Sequence, residues 1–350
     1  MIKKSIFENN YNAMKKTITF NKILKQLKAD LIGKDSYRGI TLTYAWLANQ
    51  FGHIALGFIP SFLLFHFCEI DAVKSAIYIS LFWLGFEILN FLVPLLFKKE
   101  KYVFKPKWLN VTFDTFTDVC FFALGSFLFS LCATEGNNKI VIIVLITLSV
   151  YLVFASKYWF ITKMYQLNAK YPFQFRLSQW KFKINDNDAL KVKKFELSKE
   201  LDGKHLLVYG EFGTGKTSLG VAVLNELSIR NHSCLYVNAI KMFNKFFDNN
   251  DDLEDYEVWN WKTADFLMID DINPSEPIED ELISPEKLLN FIDRLKPVNN
   301  KNRNILKDKN IIWVLGSKQH LDKTNKDKWK QMLLEIGIAE NKISTINLIK

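Results

Sequence analysis

The chain has 350 residues, 49% of them hydrophobic and 30 of them Phe, with a net charge of +9, which leaves room for two units of ordinary domain size and is too apolar for a typical wholly soluble protein. Residues 199–350 hold 21 Lys and Arg against 24 Asp and Glu, a net −3, while residues 1–198 hold 25 against 13, a net +12. The second half therefore lacks the overall positive field of a nucleic-acid-binding module, and the basic excess belongs to the greasy half.

The opening residues MIKKSIFENNYNAMKK have no compact apolar run and no small-residue cleavage site, so a removed signal peptide is not expected. The following stretch, FNKILKQLKADLIGK, places Phe20, Ile23, Leu24, Leu27 and Leu31 at helical spacing with lysines between. Such a helix either lies on the inner leaflet, lysines against anionic headgroups, or packs on its own protein.

A hydrocarbon core about 30 Å thick takes about 20 helical residues to cross. Four stretches meet that length: residues 42–67, 75–97, 111–133 and 140–161. The first carries Asn49, Gln50 and His53, and the third opens with Asp114 and Asp118, so either is open to being shorter or partly wet. Lysines crowd the N-terminal segment and the connection KKEKYVFKPK, whereas the connections after the first and third stretches are nearly neutral. Short cytoplasmic segments collect Lys and Arg, so the expected membrane topology is four spans with both termini in the cytoplasm.

Within the spans, Glu87 and His53 both fall near mid-depth, where a charged group is costly and seeks a partner. They are expected to meet as a buried polar pair, with Asn90 beside them, serving a structural contact, self-association, or an ion or proton path. Cys68, Cys120, Cys132 and Cys234 lie in or beside apolar runs and read as small hydrophobes, and no Cys/His cluster suggests a structural metal.

Residues 162–200 are mixed, aromatic and charged and read as a neck and linker. Beyond them strands alternate with helices, the pattern of a parallel sheet covered on both faces. The expected organisation is an amphipathic N-terminal segment (1–40), a helical membrane bundle of four transmembrane helices (41–161), the neck (162–200) and an α/β P-loop NTPase domain (201–350).

Chemistry enters with LLVYGEFGTGKTSLG, in which Gly210, Gly215, Lys216 and Thr217 match G-x-x-x-x-G-K-[ST] between an apolar strand and a helix pattern. Glycines there let the backbone N–H groups of Gly210, Glu211, Phe212, Gly213, Thr214, Gly215, Lys216, Thr217 and Ser218 turn around phosphates, and the helix N-terminus adds its dipole. Lys216 is expected on the β- and γ-phosphates and Thr217 on Mg²⁺. Downstream, ADFLMIDDIN ends an apolar strand in Asp270, expected on the Mg²⁺ side, and Asp271, expected to orient or deprotonate the attacking water.

Together with SCLYVNAIKMFNKFF, LLNFIDRL and NIIWVLGSKQ, these motifs resemble the core of AAA+ ATPases, nearest the DnaA, DnaC and IstB initiator and helicase-loader branch, over about 150 residues. The resemblance implies a γ-phosphate sensor at the end of the last of these strands, which falls on Ser317, with Gln319 in reserve. It also implies an arginine finger after that strand, yet residues 318–350 contain no Arg; Arg294 and Arg303 lie before it. No helical lid follows KDKWKQMLLEIGIAE. Guanine reading would need an Asn and an Asp where VLGSKQHLDK has Ser317 and His320, so ATP with Mg²⁺ is the expected cofactor pair.

Three functions follow as expectations: a membrane-anchored ATPase that rearranges its spans or partners, a nucleotide-sensing switch or pore gate with little turnover, and a membrane-tethered DNA-handling ATPase. The expected partners are membrane lipid and a second copy or another membrane protein. Nucleic acid is disfavoured by the −3 charge, with the lysines of residues 296–330 as its remaining support.

Overall fold

A computed structural model of the chain describes residues 18–31, 41–97, 102–134, 138–247, 258–272, 283–293, 296–316 and 327–349. The chain divides into two compact units, one holding Thr19–Lys101 and Pro106–Ile161, the other containing Tyr102–Lys105 and Thr162–Lys350.

In the helical unit a short helix α1 (Phe20–Leu31) precedes α2 (Leu42–Cys68), α3 (Ala72–Phe97), α4 (Trp108–Ala133) and α5 (Lys139–Asn168). The last four are long and apolar enough to cross a membrane, and they begin and end within a few residues of the expected spans except at the end of α5, which continues to Asn168. Helix α1 is amphipathic in practice. Ile23 and Asp30 are buried while Phe20, Leu24 and Leu31 remain exposed. Asp30 caps the next helix: its Oδ2 accepts from the Thr43 N–H at 3.1 Å and from the Thr43 hydroxyl at 2.6 Å. A carboxylate there satisfies an orphan donor and complements the helix dipole.

Helices α2 and α4 touch backbone to backbone. A Cβ added to Gly57 would stand 2.0 Å from the Phe122 carbonyl oxygen, and one added to Gly125 would stand 2.0 Å from that of Ile54. Ser126 Oγ donates across the contact to the Gly57 carbonyl at 3.2 Å. This is the small-residue packing of helices that cannot use a hydrophobic driving force between them. Trp83 joins α3 to the pair, its Nε1–H donating to the Leu56 carbonyl at 2.8 Å and its ring stacking on Phe122. Tyr151 and Tyr158 of α5 pack edge-on against Phe116 and Phe113 of α4. The expected Glu87–His53 pair takes another form: His53 Nε2 stands 3.7 Å from Asp118 Oδ1, because the glycine contact brings α4 alongside α2, and Glu87 acts on the imidazole through its charge.

The α/β unit opens with α6 (Asp186–Glu196) and continues β1 (His205–Gly210), α7 (Lys216–Ile229), β2 (Cys234–Asn238), α8 (Ala239–Phe247), β3 (Phe266–Ile272), α9 (Pro285–Asp293), α10 (Lys296–Asp308), β4 (Asn310–Leu315), α11 (Lys328–Ile336) and β5 (Ile343–Leu348). The strands form a five-stranded sheet, β2-β3-β4-β1-β5, parallel throughout. Every residue of β1 and β4 is buried, which is why both read as unbroken apolar runs rather than alternations. A parallel sheet carries all its strand C-termini at one edge. There β4 lies between β1 and β3, so the loop after β1 and the end of β3 are two strand spacings apart, about 9.6 Å.

Helix α7 is buried on every side from Leu219 to Ile229, as a helix with apolar residues all round must be. The sheet covers one face. The segment expected as a neck covers the other: Leu177, Trp180, Val192 and Phe195 join the core of β1 and α7, together with Phe104. Buried polar groups on α7 are matched from the same segment, Gln166 Nε2 donating to Asn225 Oδ1 at 2.7 Å and Arg176 Nε to Glu226 Oε1 at 2.8 Å. Residues 162–197 thus act as an outer layer of the α/β unit.

Candidate functional site

Between β1 and α7 the turn Gly210–Gly215 follows the phosphate-loop pattern and has the backbone to match it. Gly210, Gly213 and Gly215 have φ of 154°, 80° and 79°. Two of them are needed for space as well as for angle. A Cβ on Gly210 would fall 2.6 Å from Thr214 Oγ1, and one on Gly215 would fall 2.4 Å from the ring of Phe182. Thr214 is buried and braces the turn, its hydroxyl donating to the Glu211 carbonyl at 2.8 Å. Ser218 Oγ donates back to the Gly215 carbonyl at 2.9 Å.

Lys216 is nearly buried, and its Nζ donates to the carbonyls of Gly210 and Glu211, both at 2.7 Å. Burial lowers its pKa and the charge of Asp270 opposes that shift. A cation on the first turn of α7, where backbone donors have no partner within the helix, makes an anion site.

Across β4, Thr217 Oγ1 donates to Asp270 Oδ1 at 3.1 Å, and Tyr236 OH donates to Asp270 Oδ2 at 3.0 Å. Tyr236 lies on β2 opposite Met268, and Asn238 lies opposite Asp270. Burial raises the pKa of Asp270; a hydrogen bond from the Asp271 N–H lowers it, the Asp271 charge raises it, and the Tyr236 and Thr217 hydroxyls lower it. Asp271 is exposed, with φ 58°, and accepts from Asn238 Nδ2 at 2.7 Å. The β3–β4 register shifts between Ile269 and Ile272. Successive strand residues ordinarily face opposite ways, and a bulge with a left-handed residue re-aims one of them. Here both carboxylates line one cavity.

That cavity has a volume of about 310 Å³, with Lys216, Thr217, Asp270 and Asp271 at its polar end and Phe173, Phe182 and Phe212 among its apolar lining. A buried ammonium, a hydroxyl paired with a carboxylate, and an exposed carboxylate fit a polyphosphate with a hard cation. Of the expected residues, Gly213, Gly215, Lys216, Thr217, Ser218, Asp270 and Asp271 share this cavity with Phe212. Gly210, Glu211 and Thr214 shape the turn beneath it. Ser317, Gln319 and Arg294 lie outside the described residues, and Arg303 on α10 donates to the Glu335 carbonyl at 3.1 Å.

Sequence reasoning missed Tyr236, Asn238, Trp180, Phe173 and Phe182. The polar residues two apart at the end of SCLYVN were a signal for the first pair. The aromatic residues had none, because their role depends on residues 162–197 folding over α7.

No protein-family model matches this chain, and no curated protein matches it. Among solved structures, the crystal structure of DnaI is similar at 22% identity over 50% of this chain and 87% of that one, with a TM-score of 0.31. The crystal structure of the DnaC helicase loader is similar at 17% identity over 49% of this chain and 96% of that one, with a TM-score of 0.34.

Proposed function

We propose that this chain is a membrane-anchored P-loop ATPase, in which Mg²⁺-ATP binding and hydrolysis by the α/β unit drive rearrangement of the transmembrane helices or their partners. The observation that carries the reading is the convergence of the Lys216 ammonium, the Thr217–Asp270 pair and the Asp271 carboxylate on one cavity at the C-terminal edge of a parallel sheet. Exposure of Phe82, Leu89 and Phe154 at 60%, 61% and 69% on the long apolar helices supports a lipid environment, since such a surface suits hydrocarbon and not water. Exposed Phe20, Leu24 and Leu31 on α1 support contact with the inner leaflet.

Mg²⁺, held by Thr217 and through water by Asp270, would neutralise charge on the phosphate oxygens. Lys216 exchanges its two carbonyl partners for phosphate oxygens and holds the β- and γ-groups. Asp271 takes the attacking water on its carboxylate, and Asn238 holds that carboxylate in place. Because it orients rather than binds nucleotide, Asp271 governs turnover more than affinity. The Asn238 contact also supports a second reading, a slow switch: a carboxylate already occupied by an amide donor is less available to water.

Full-length protein in mild detergent tests both. Steady ATP hydrolysis that vanishes in Lys216→Ala and falls about a hundredfold in Asp271→Asn, with nucleotide still bound, is the expected result. Tight binding without turnover leaves the switch, and no binding of any nucleoside triphosphate ends both readings. A second copy or another membrane protein is the proposed partner.

A further inference from the structure

Between α3 and α4, the four residues Tyr102–Lys105 belong to the α/β unit. Phe104 is 1% exposed in the core that contains Trp180, and the two ring centroids are 5.9 Å apart. Trp180 is equally buried, and its Nε1–H donates to the Gly215 carbonyl at 3.0 Å. Its ring also lies 5.5 Å from that of Phe182, which closes on the Cα of Gly215. The Gly215 carbonyl accepts from Leu219 N–H and Ser218 Oγ as well, each at 2.9 Å.

A trans peptide is planar, with its C=O and N–H directed opposite ways. Fixing the Gly215 carbonyl from outside therefore fixes the direction of the Lys216 N–H, one of the first donors of the anion site. Bulk packing would not need that bond, since a phenylalanine would fill most of the space of Trp180.

We propose that Trp180 is a positioning residue for the phosphate loop and that Phe104, by bracing it, couples nucleotide binding to the loop that joins α3 to α4. The inference rests on the proposed nucleotide site. It supplies a covalent route from that site to two of the apolar helices, in addition to the route through residues 162–200. Coupling of this kind is reciprocal: what Phe104 does to nucleotide affinity, nucleotide must do to Phe104.

Full-length protein in detergent provides the test, with a fluorescent ATP analogue and Mg²⁺ for affinity and hydrogen exchange for protection. Nucleotide is expected to protect residues 210–218 and also residues 102–105. Trp180→Phe, which keeps a ring and loses the donor, weakens affinity about two- to tenfold. Phe104→Ala does the same, Phe104→Met restores most of it, and both Trp180→Phe and Phe104→Ala abolish the nucleotide-dependent protection at 102–105. A merely structural role would lower the thermal midpoint and leave affinity unchanged; that outcome, or protection confined to 210–218, overturns the proposal. Should Trp180→Phe not fold, wild-type exchange and the Phe104 pair decide the matter. Lack of protection at 210–218 with any nucleotide refutes the nucleotide reading itself, and this proposal with it.

Discussion

Burial raises the pKa of Asp270, and the charge of Asp271 adds to that against hydrogen bonds from the Asp271 N–H, Tyr236 and Thr217. A carboxyl group with a raised pKa keeps its proton to higher pH than an exposed one, and only the ionised form takes a cation. Mg²⁺-nucleotide affinity should therefore fall as pH drops through a window beginning above the ordinary carboxylate range of about 4. Without nucleotide the sign reverses: the folded state binds the proton more tightly, so stability declines as pH rises through the same window. Asp270→Asn should remove both effects, leaving the thermal midpoint equal or higher without ligand and unresponsive to Mg²⁺-ATP; a full Mg²⁺-ATP shift in the variant would contradict the role. At Gly215 the argument is steric. Gly215→Ala puts a methyl in the ring of Phe182 at a left-handed residue, a cost of about 1–2 kcal/mol, so nucleotide should bind about tenfold more weakly by titration. Lys216, Thr217 and the two aspartates were legible in the sequence because their spacing follows from one strand–turn–helix and one strand end. Tyr236 and Asn238 act from another strand, and only sheet register pairs them with Asp270 and Asp271.

Long apolar helices were legible to within a few residues at most of their ends, since about 20 apolar residues in a row allow little else. Their pairing was not legible. The sequence offered Glu87 as the partner of His53, and the glycine contact of α2 with α4 set Asp118 there. Replacing Gly125 by Leu forces α4 off the Ile54 carbonyl and should unpair the helices, seen as a lowered thermal midpoint in detergent and lost cross-linking between α2 and α4. Gly85→Ala is the control, because nothing lies within 4 Å of its added Cβ; equal damage from both would sink the packing argument. In the other unit the parallel sheet followed from alternating strands and helices. The outer layer over α7 did not, since residues 162–197 carry few regular periodic runs and declare themselves only by what they cover.

At the scale of the molecule, the proposed orientation makes a labelling pattern. Cys68 ends α2 and Cys132 lies in the last turn of α4, both exposed, while Cys120 and Cys234 are buried. With the N-terminus inside, the ends of the first and third spans face outward. A membrane-impermeant maleimide applied to intact cells should label Cys68 and Cys132, and Cys68→Ser with Cys132→Ser should abolish the signal. Labelling only after the membrane is opened would reverse the topology and put the α/β unit on the side without ATP.

Local chemistry and hydrophobic length determined, from the sequence alone, that four helices can span a bilayer and that a glycine-rich turn between strand and helix can grip phosphate, because each depends on neighbours along the chain. Which groups meet across the chain was decided only by tertiary structure. The Thr217–Asp270 bond, the Asn238–Asp271 bond and the contact of Phe104 with Trp180 each join residues more than thirty positions apart, and no pattern along the backbone encodes how separate elements come to lie side by side.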